Sequence, residues 1–145
     1  MSVFYVIDPI HQRVISRAIG ALAAGGLRHH YQQLRRDPAF HPTLCELWDC
    51  TGVTAVAVSG IRQLATVSVF APGTPRAMVA PSDAVYGLSR MLQTLRGFRS
   101  EQIAVFRDRM GALAWLEEVG GRCEQKGDVT RRSRRRGMRK GTFRS

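Results

Sequence analysis

Three features of this sequence predict an α/β fold built on a five-stranded mixed, mainly parallel sheet. Short β-branched and aromatic runs alternate with stretches whose apolar residues recur at helical spacing. The connections between the later runs are short, so each strand leads into a helix that crosses back over the sheet. The 145 residues, 44% hydrophobic and 23% charged, suffice for one core that buries roughly two-thirds of the extended-chain surface. The expected order is ββαβαβαβα, with about four helices.

Val3–Ile7 and Arg13–Ile19 read as strands joined by Asp8-Pro9-Ile10-His11, which has turn chemistry, and a hairpin is their simplest pairing. Leu27, Tyr31 and Leu34 recur on one helical face; Asp37-Pro38 ends that helix, because proline disfavours helical geometry in the residue before it. Leu44–Asp49 is the third strand, followed by a polar turn containing Thr51 and Thr54. Ile61, Leu64 and Ala65 form the face of a second helix that can begin at Ser59-Gly60. After the break at Ala71–Pro75, Ala77–Ala80 is a fourth strand, and Ser82 or Asp83 can cap the third helix. There Val85, Leu88, Met91, Leu92 and Leu95 share one face, and Gly97 is a fitting stop. Ile103–Phe106 is the fifth strand, and Asp108 can cap a last helix with Met110, Leu113 and Ala114 inward.

The net charge of +11 is unevenly distributed. Residues 122–145 carry ten Lys or Arg and two acids, hence +8, whereas residues 1–121 carry twelve Arg and nine acids, hence +3. The hydrophobic pattern stops at Gly120-Gly121, which divides the chain into a domain over 1–121 and a basic disordered tail over 122–145. Arg131, Arg132, Arg134, Arg135, Arg136, Arg139 and Lys140 are its candidate polyanion-binding residues, suited to non-specific contact with nucleic acid or an anionic membrane. A solvated extension without a partner is the equally weighted alternative.

No stretch approaches the ~18 apolar residues of a membrane span, and the N-terminus reaches Asp8-Pro9 too soon for a signal-peptide core, so a cytoplasmic protein is expected. Cys45, Cys50 and Cys123 lack metal-ligand spacing. The first two would point to opposite faces of a strand and are read as buried small hydrophobes. His29-His30 lacks the spacing of a metal pair, no HExxH or paired CxxC is present, and the double glycines lack a dinucleotide or P-loop context, so no metal or cofactor is expected. The serines have no evident histidine base. Asp49 and Asp83 could meet as an acid pair across adjacent loops, but turn and cap duties account for both, and an enzyme is not expected. Trp48, Trp115 and the Leu88–Leu95 stripe are read as packing.

The order of elements, together with Asp49-x-Thr-Gly-Val-Thr-(x)4-Ser-Gly-Ile61, resembles the STAS superfamily, the SpoIIAA-like fold of bacterial anti-sigma-factor antagonists. In that family an acid closes the third strand, and a serine opening the second helix accepts a phosphate. Here Ala57-Val58-Ser59-Gly60-Ile61 puts valine at the phosphoacceptor position and alanine at the acid before it. The resemblance therefore implies a regulatory domain without the usual phosphoswitch, with Ser59 read first as a helix cap. Asp37–Phe40, Arg76–Asp83, Tyr86–Met91 and Val105–Leu116 look like bacterial SpoIIAA-like proteins of STAS/SEC14 type, over about residues 3–118.

Ligands in open α/β sheets favour the crevice beyond the carboxyl ends of the strands. The candidate partner or ligand surface is accordingly Asp49, Thr51, Thr54, Ser59, Gly60, Ser82 and Asp83. A protein partner is the leading expectation, as the resemblance implies. A small apolar ligand or lipid is the second, and homodimerisation is open.

Overall fold

In a computed structural model of the chain, the structure describes residues 2–57, 69–97 and 102–120. The second helix expected from Ser59, the residues Ser59 and Gly60, and the tail from 122 onward lie outside the described residues. Five strands form one sheet in the order β1-β2-β3-β4-β5: β1 (Ser2–Asp8), β2 (Arg13–Leu22), β3 (Cys45–Val56), β4 (Pro75–Val79) and β5 (Gln102–Phe106). β1 and β2 pair antiparallel, and the remaining pairs are parallel. The helices among the described residues are α1 (Ala24–Arg36), α2 (Asp83–Gly97) and α3, residues 109–120.

α1 ends where the sequence predicts, with Asp37 already in extended geometry ahead of Pro38. Its buried face, Leu27, Tyr31 and Leu34 with His30, packs on Val14, Trp48 and Cys50 of one sheet face, where Val85 of α2 joins the cluster. On the opposite face Ala112 and Leu116 of α3 cover Cys45, Leu47, Ala77 and Val79. Cys45 and Cys50 thus lie on opposite faces, both as free thiols.

Three sequence expectations are corrected. β3 does not end at Asp49: it continues to Val56, so Thr51 and Thr54 are strand residues rather than turn residues, and Asp49 does not close the strand. The physical reason is β2, which runs alongside as far as Leu22 and supplies main-chain partners for Gly52, Val53, Ala55 and Val56, whereas β4 pairs only with Glu46–Asp49. The pairing slips twice, between Arg17 and Ile19 and between Gly20 and Ala21. Two glycines permit this. Gly20 has φ of 89°, a region that disfavours side chains, and a Cβ on Gly52 would stand 3.2 Å from Ile19 Cγ1 and 3.3 Å from the Ala18 carbonyl. The result is a bulged two-stranded ribbon projecting past the rest of the sheet.

In α3, Met110 and Ala114 face outward, while Ala112 and Leu116 are buried and Leu113 is half-buried. The helix is apolar nearly all round from Gly111 to Leu116, so the sheet decides its face. In α2 the buried residues are Val85, Ser89 and Leu92, and Met91 and Leu95 turn toward solvent.

Candidate functional site at the carboxyl ends of the strands

Sheet register places Arg17, Asp49, Val79 and Phe106 in one row across β2 to β5, at the carboxyl ends of β4 and β5. Asp49 anchors the row. Its Oδ1 accepts bonds from the Thr51 hydroxyl and, at 2.9 Å, from the Thr51 N–H, and its Oδ2 lies 3.5 Å from Arg109 Nη1. Partial burial pushes the carboxyl pKa up, but the two Thr51 bonds and the charges of Arg17 and Arg109 outweigh it and hold the group below the usual carboxylate value.

Along the same rim, Arg107 donates to Asp83 Oδ1 at 2.6 Å and to the Pro81 carbonyl at 3.2 Å. Its guanidinium sits 4.0 Å from the Tyr86 ring centroid. This clasp ties the end of β5 to the start of α2, where Ser82 Oγ caps the helix by accepting from the Val85 N–H at 3.3 Å. Asp108 does the same for α3 through the Gly111 N–H at 2.7 Å. The two acids Asp49 and Asp83 are therefore not an acid pair; each takes its own arginine. Ser82 and Asp83 are exposed, as are Thr51 and Thr54 on the ribbon, and Met110 leaves 83% of its surface in solvent.

A second cluster, which the sequence reading missed, lies inside. Glu46 and Arg76 are directly opposite on β3 and β4. Both are buried, and Arg76 donates to Glu46 Oε1 from Nη2 at 2.7 Å and from Nε at 3.0 Å. The Tyr31 hydroxyl accepts from Arg76 Nη2 and from Trp48 Nε1, each at 2.9 Å, joining α1 to the pair. A charged residue inside each of the runs Leu44–Trp48 and Pro75–Ala80 was the available signal. The pair adjoins a cavity walled by Leu22, Leu27, Trp48, Cys50, Met78, Leu92 and Ile103. Its volume is about 30 Å³. Burial first, then Asp49 and Glu46, push the Cys50 thiol up to about 12, which keeps it protonated and unreactive.

His30 and Ser16 meet in the same interior, 3.3 Å apart, although sequence spacing gave no hint of it. Both are buried, the imidazole is enclosed by Tyr5, Tyr31 and Trp48, and His30 Nδ1 has no hydrogen-bond partner. Among the described residues no acid orients the imidazole, and the contact packs α1 on the sheet. His11 instead pairs with Asp8 in the hairpin turn at 2.7 Å. Among the described residues, no group of three or more His, Cys, Asp or Glu side chains could hold a metal ion, and no helix is long and apolar enough to cross a membrane.

No protein-family model matches the sequence, and no curated protein matches it. Among solved structures, the chain is similar to an uncharacterised protein of the DUF3478 family from Shewanella loihica PV-4 that has a SpoIIAA-like fold. The two share 15% identity, the match covers 79% of this chain and 92% of the other, and the TM-score is 0.55. A hairpin edge leading into a parallel sheet, with α1 and α2 on one face and α3 on the other, is thus an instance of the SpoIIAA-like fold.

Proposed function

We propose that this chain is a non-enzymatic, cytoplasmic STAS-like binding domain that presents the carboxyl-end rim and the β2–β3 ribbon to a protein partner. The observation that carries this reading is the make-up of the rim. Arg107 and Arg109 are each about half exposed, their charges balanced by Asp83 and Asp49, and the open Met110 side chain follows directly after Arg109. Arginine and methionine are enriched where proteins meet, and charge-balanced arginines leave the surface without a strong field of one sign. Thr51, Thr54, Ser82 and Asp83 surround them as exposed hydrogen-bonding groups. The helix that Ser59 and Gly60 open in the sequence reading belongs to the same proposed surface.

Affinity capture tests this with the wild-type chain and an Arg109→Glu/Met110→Asp variant of equal thermal stability. Proteins retained by the first and lost by the second are the expected outcome; identical sets, or none from either, count against the surface. The internal cavity favours a second reading, binding of a small apolar ligand or lipid, since its walls are mostly apolar and include Tyr31, Glu46 and Arg76. A cavity of that volume holds only a few waters, which ranks this reading below the first. Native mass spectrometry of gently purified protein separates the two: a retained non-covalent mass supports the ligand, and the bare chain mass opposes it.

A further inference from the structure

We propose that the chain self-associates through β1, two copies joining edge to edge about a twofold axis into one continuous ten-stranded sheet. Among the described residues β1 is an outer strand with β2 on one side only, so a row of its main-chain donors and acceptors points away from the sheet. Such a row selects an extended strand as its occupant. The usual protections are missing: Ser2–Asp8 contains no lysine and no proline, and it pairs with β2 in seven consecutive positions without a bulge. The opposite edge is treated differently. On β5 the Gln93 side chain donates to the Ile103 carbonyl at 2.7 Å, whereas among the described residues no side chain bonds to the main chain of β1.

The pattern of β1 points to a second copy of itself. A twofold axis normal to the sheet keeps like faces together, so each residue must oppose one of the same parity. The register that pairs the whole of Ser2–Asp8 with itself has Tyr5 at its centre. It sets Phe4 against Val6 of the other copy, twice, and Val3 against Ile7, twice. Phe4 and Val6 are 59% and 65% exposed, an anomaly for apolar residues on a sheet face. On this face the α3 cluster takes in Ile15 of β2 but neither Phe4 nor Val6 of β1. Aromatic against β-branched is among the favourable cross-strand pairs, and here it forms from the two exposed apolar residues of β1.

A contact of seven residues per copy falls below the size of permanent assemblies, so the dimer is concentration-dependent. Sedimentation velocity of the full chain across the micromolar to millimolar range should show a monomer–dimer equilibrium. Val6→Lys should weaken it on the order of tenfold or more, since a charge then enters the pairing twice. Its melting transition should stay unchanged, as Val6 is a surface residue. The register has its own readout: mixing Phe4→Cys and Val6→Cys chains, in a Cys123→Ser background, should give a disulfide-linked heterodimer that neither chain forms alone. A monomer at every concentration, a dimer indifferent to Val6→Lys, or equal cross-linking of each variant with itself would overturn the proposal. Failure here leaves the rim untouched, because no rim residue enters the contact.

Discussion

Enclosing the His30 imidazole among Tyr5, Tyr31 and Trp48 removes it from water, and this desolvation, with the Arg76 charge second, lowers its pKa from 6.5 to about 4. The sign of the linkage follows. Below pH 6.5 the unfolded chain takes up a proton that the native chain refuses until about pH 4. The contribution to stability is therefore complete above pH 6.5 and is lost as the pH falls toward 4, up to about 3 kcal/mol. Urea unfolding of the wild type and of His30→Phe at pH 7 and pH 4.5 measures it. The wild type should lose clearly more stability than the variant between the two; parallel losses would show that the imidazole is not held neutral. Asp49 and Asp8, whose pKa values are lowered, add a decline at still lower pH that both chains share.

At the scale of elements, the Glu46–Arg76 pair and the Tyr31 hydroxyl fasten α1, β3 and β4 to one another in the interior. Arg76→Met removes the two donors that Glu46 Oε1 accepts from in the core, and removing one member of a buried pair costs about 3–5 kcal/mol. The double variant Arg76→Met/Glu46→Leu removes both charges and should recover most of that loss, a contrast that denaturant midpoints resolve. A double variant no more stable than the single would mean that losing the Arg76 donors leaves no buried charge to relieve. This pair also shows where the sequence was silent. Alternation and helical spacing marked all five strands and the faces of α1 and α2 in outline, because burial there follows hydrophobic period. The length of β3 did not follow from it: Asp49, Thr51, Gly52 and Thr54 have turn composition, and only the parallel reach of β2, eased by Gly20 and Gly52, keeps them extended. In α3 the Gly111–Leu116 run offers apolar residues on every side, so period alone could not select Ala112 and Leu116.

Across the whole molecule, the layered α/β architecture was legible because strand and helix alternate along the chain, whereas the rim was only half legible. Asp49, Ser82 and Asp83 stood out by chemistry, but Arg17, Arg107 and Arg109 join them only through the sheet order β2-β3-β4-β5, which no local pattern encodes. Charge divides the molecule in another way. The segment 1–121 carries +3, with Arg76, Arg107 and Arg109 in ion pairs, while 122–145 carries +8. Polyanion binding should therefore depend on the second segment and folding on the first. A chain ending at Gly121 should melt at the same temperature as the full chain and lose its salt-sensitive retention by single-stranded nucleic acid and by anionic vesicles. If Arg131, Arg132, Arg134, Arg135, Arg136, Arg139 and Lys140 each neutralise a phosphate, the full chain's affinity for a duplex should fall with salt at a logarithmic slope of about −6. Fluorescence anisotropy titrations at several ionic strengths measure that slope. Equal binding by the shortened chain would move the polyanion site to the folded domain, and a lowered melting transition would show that the tail contributes to the core.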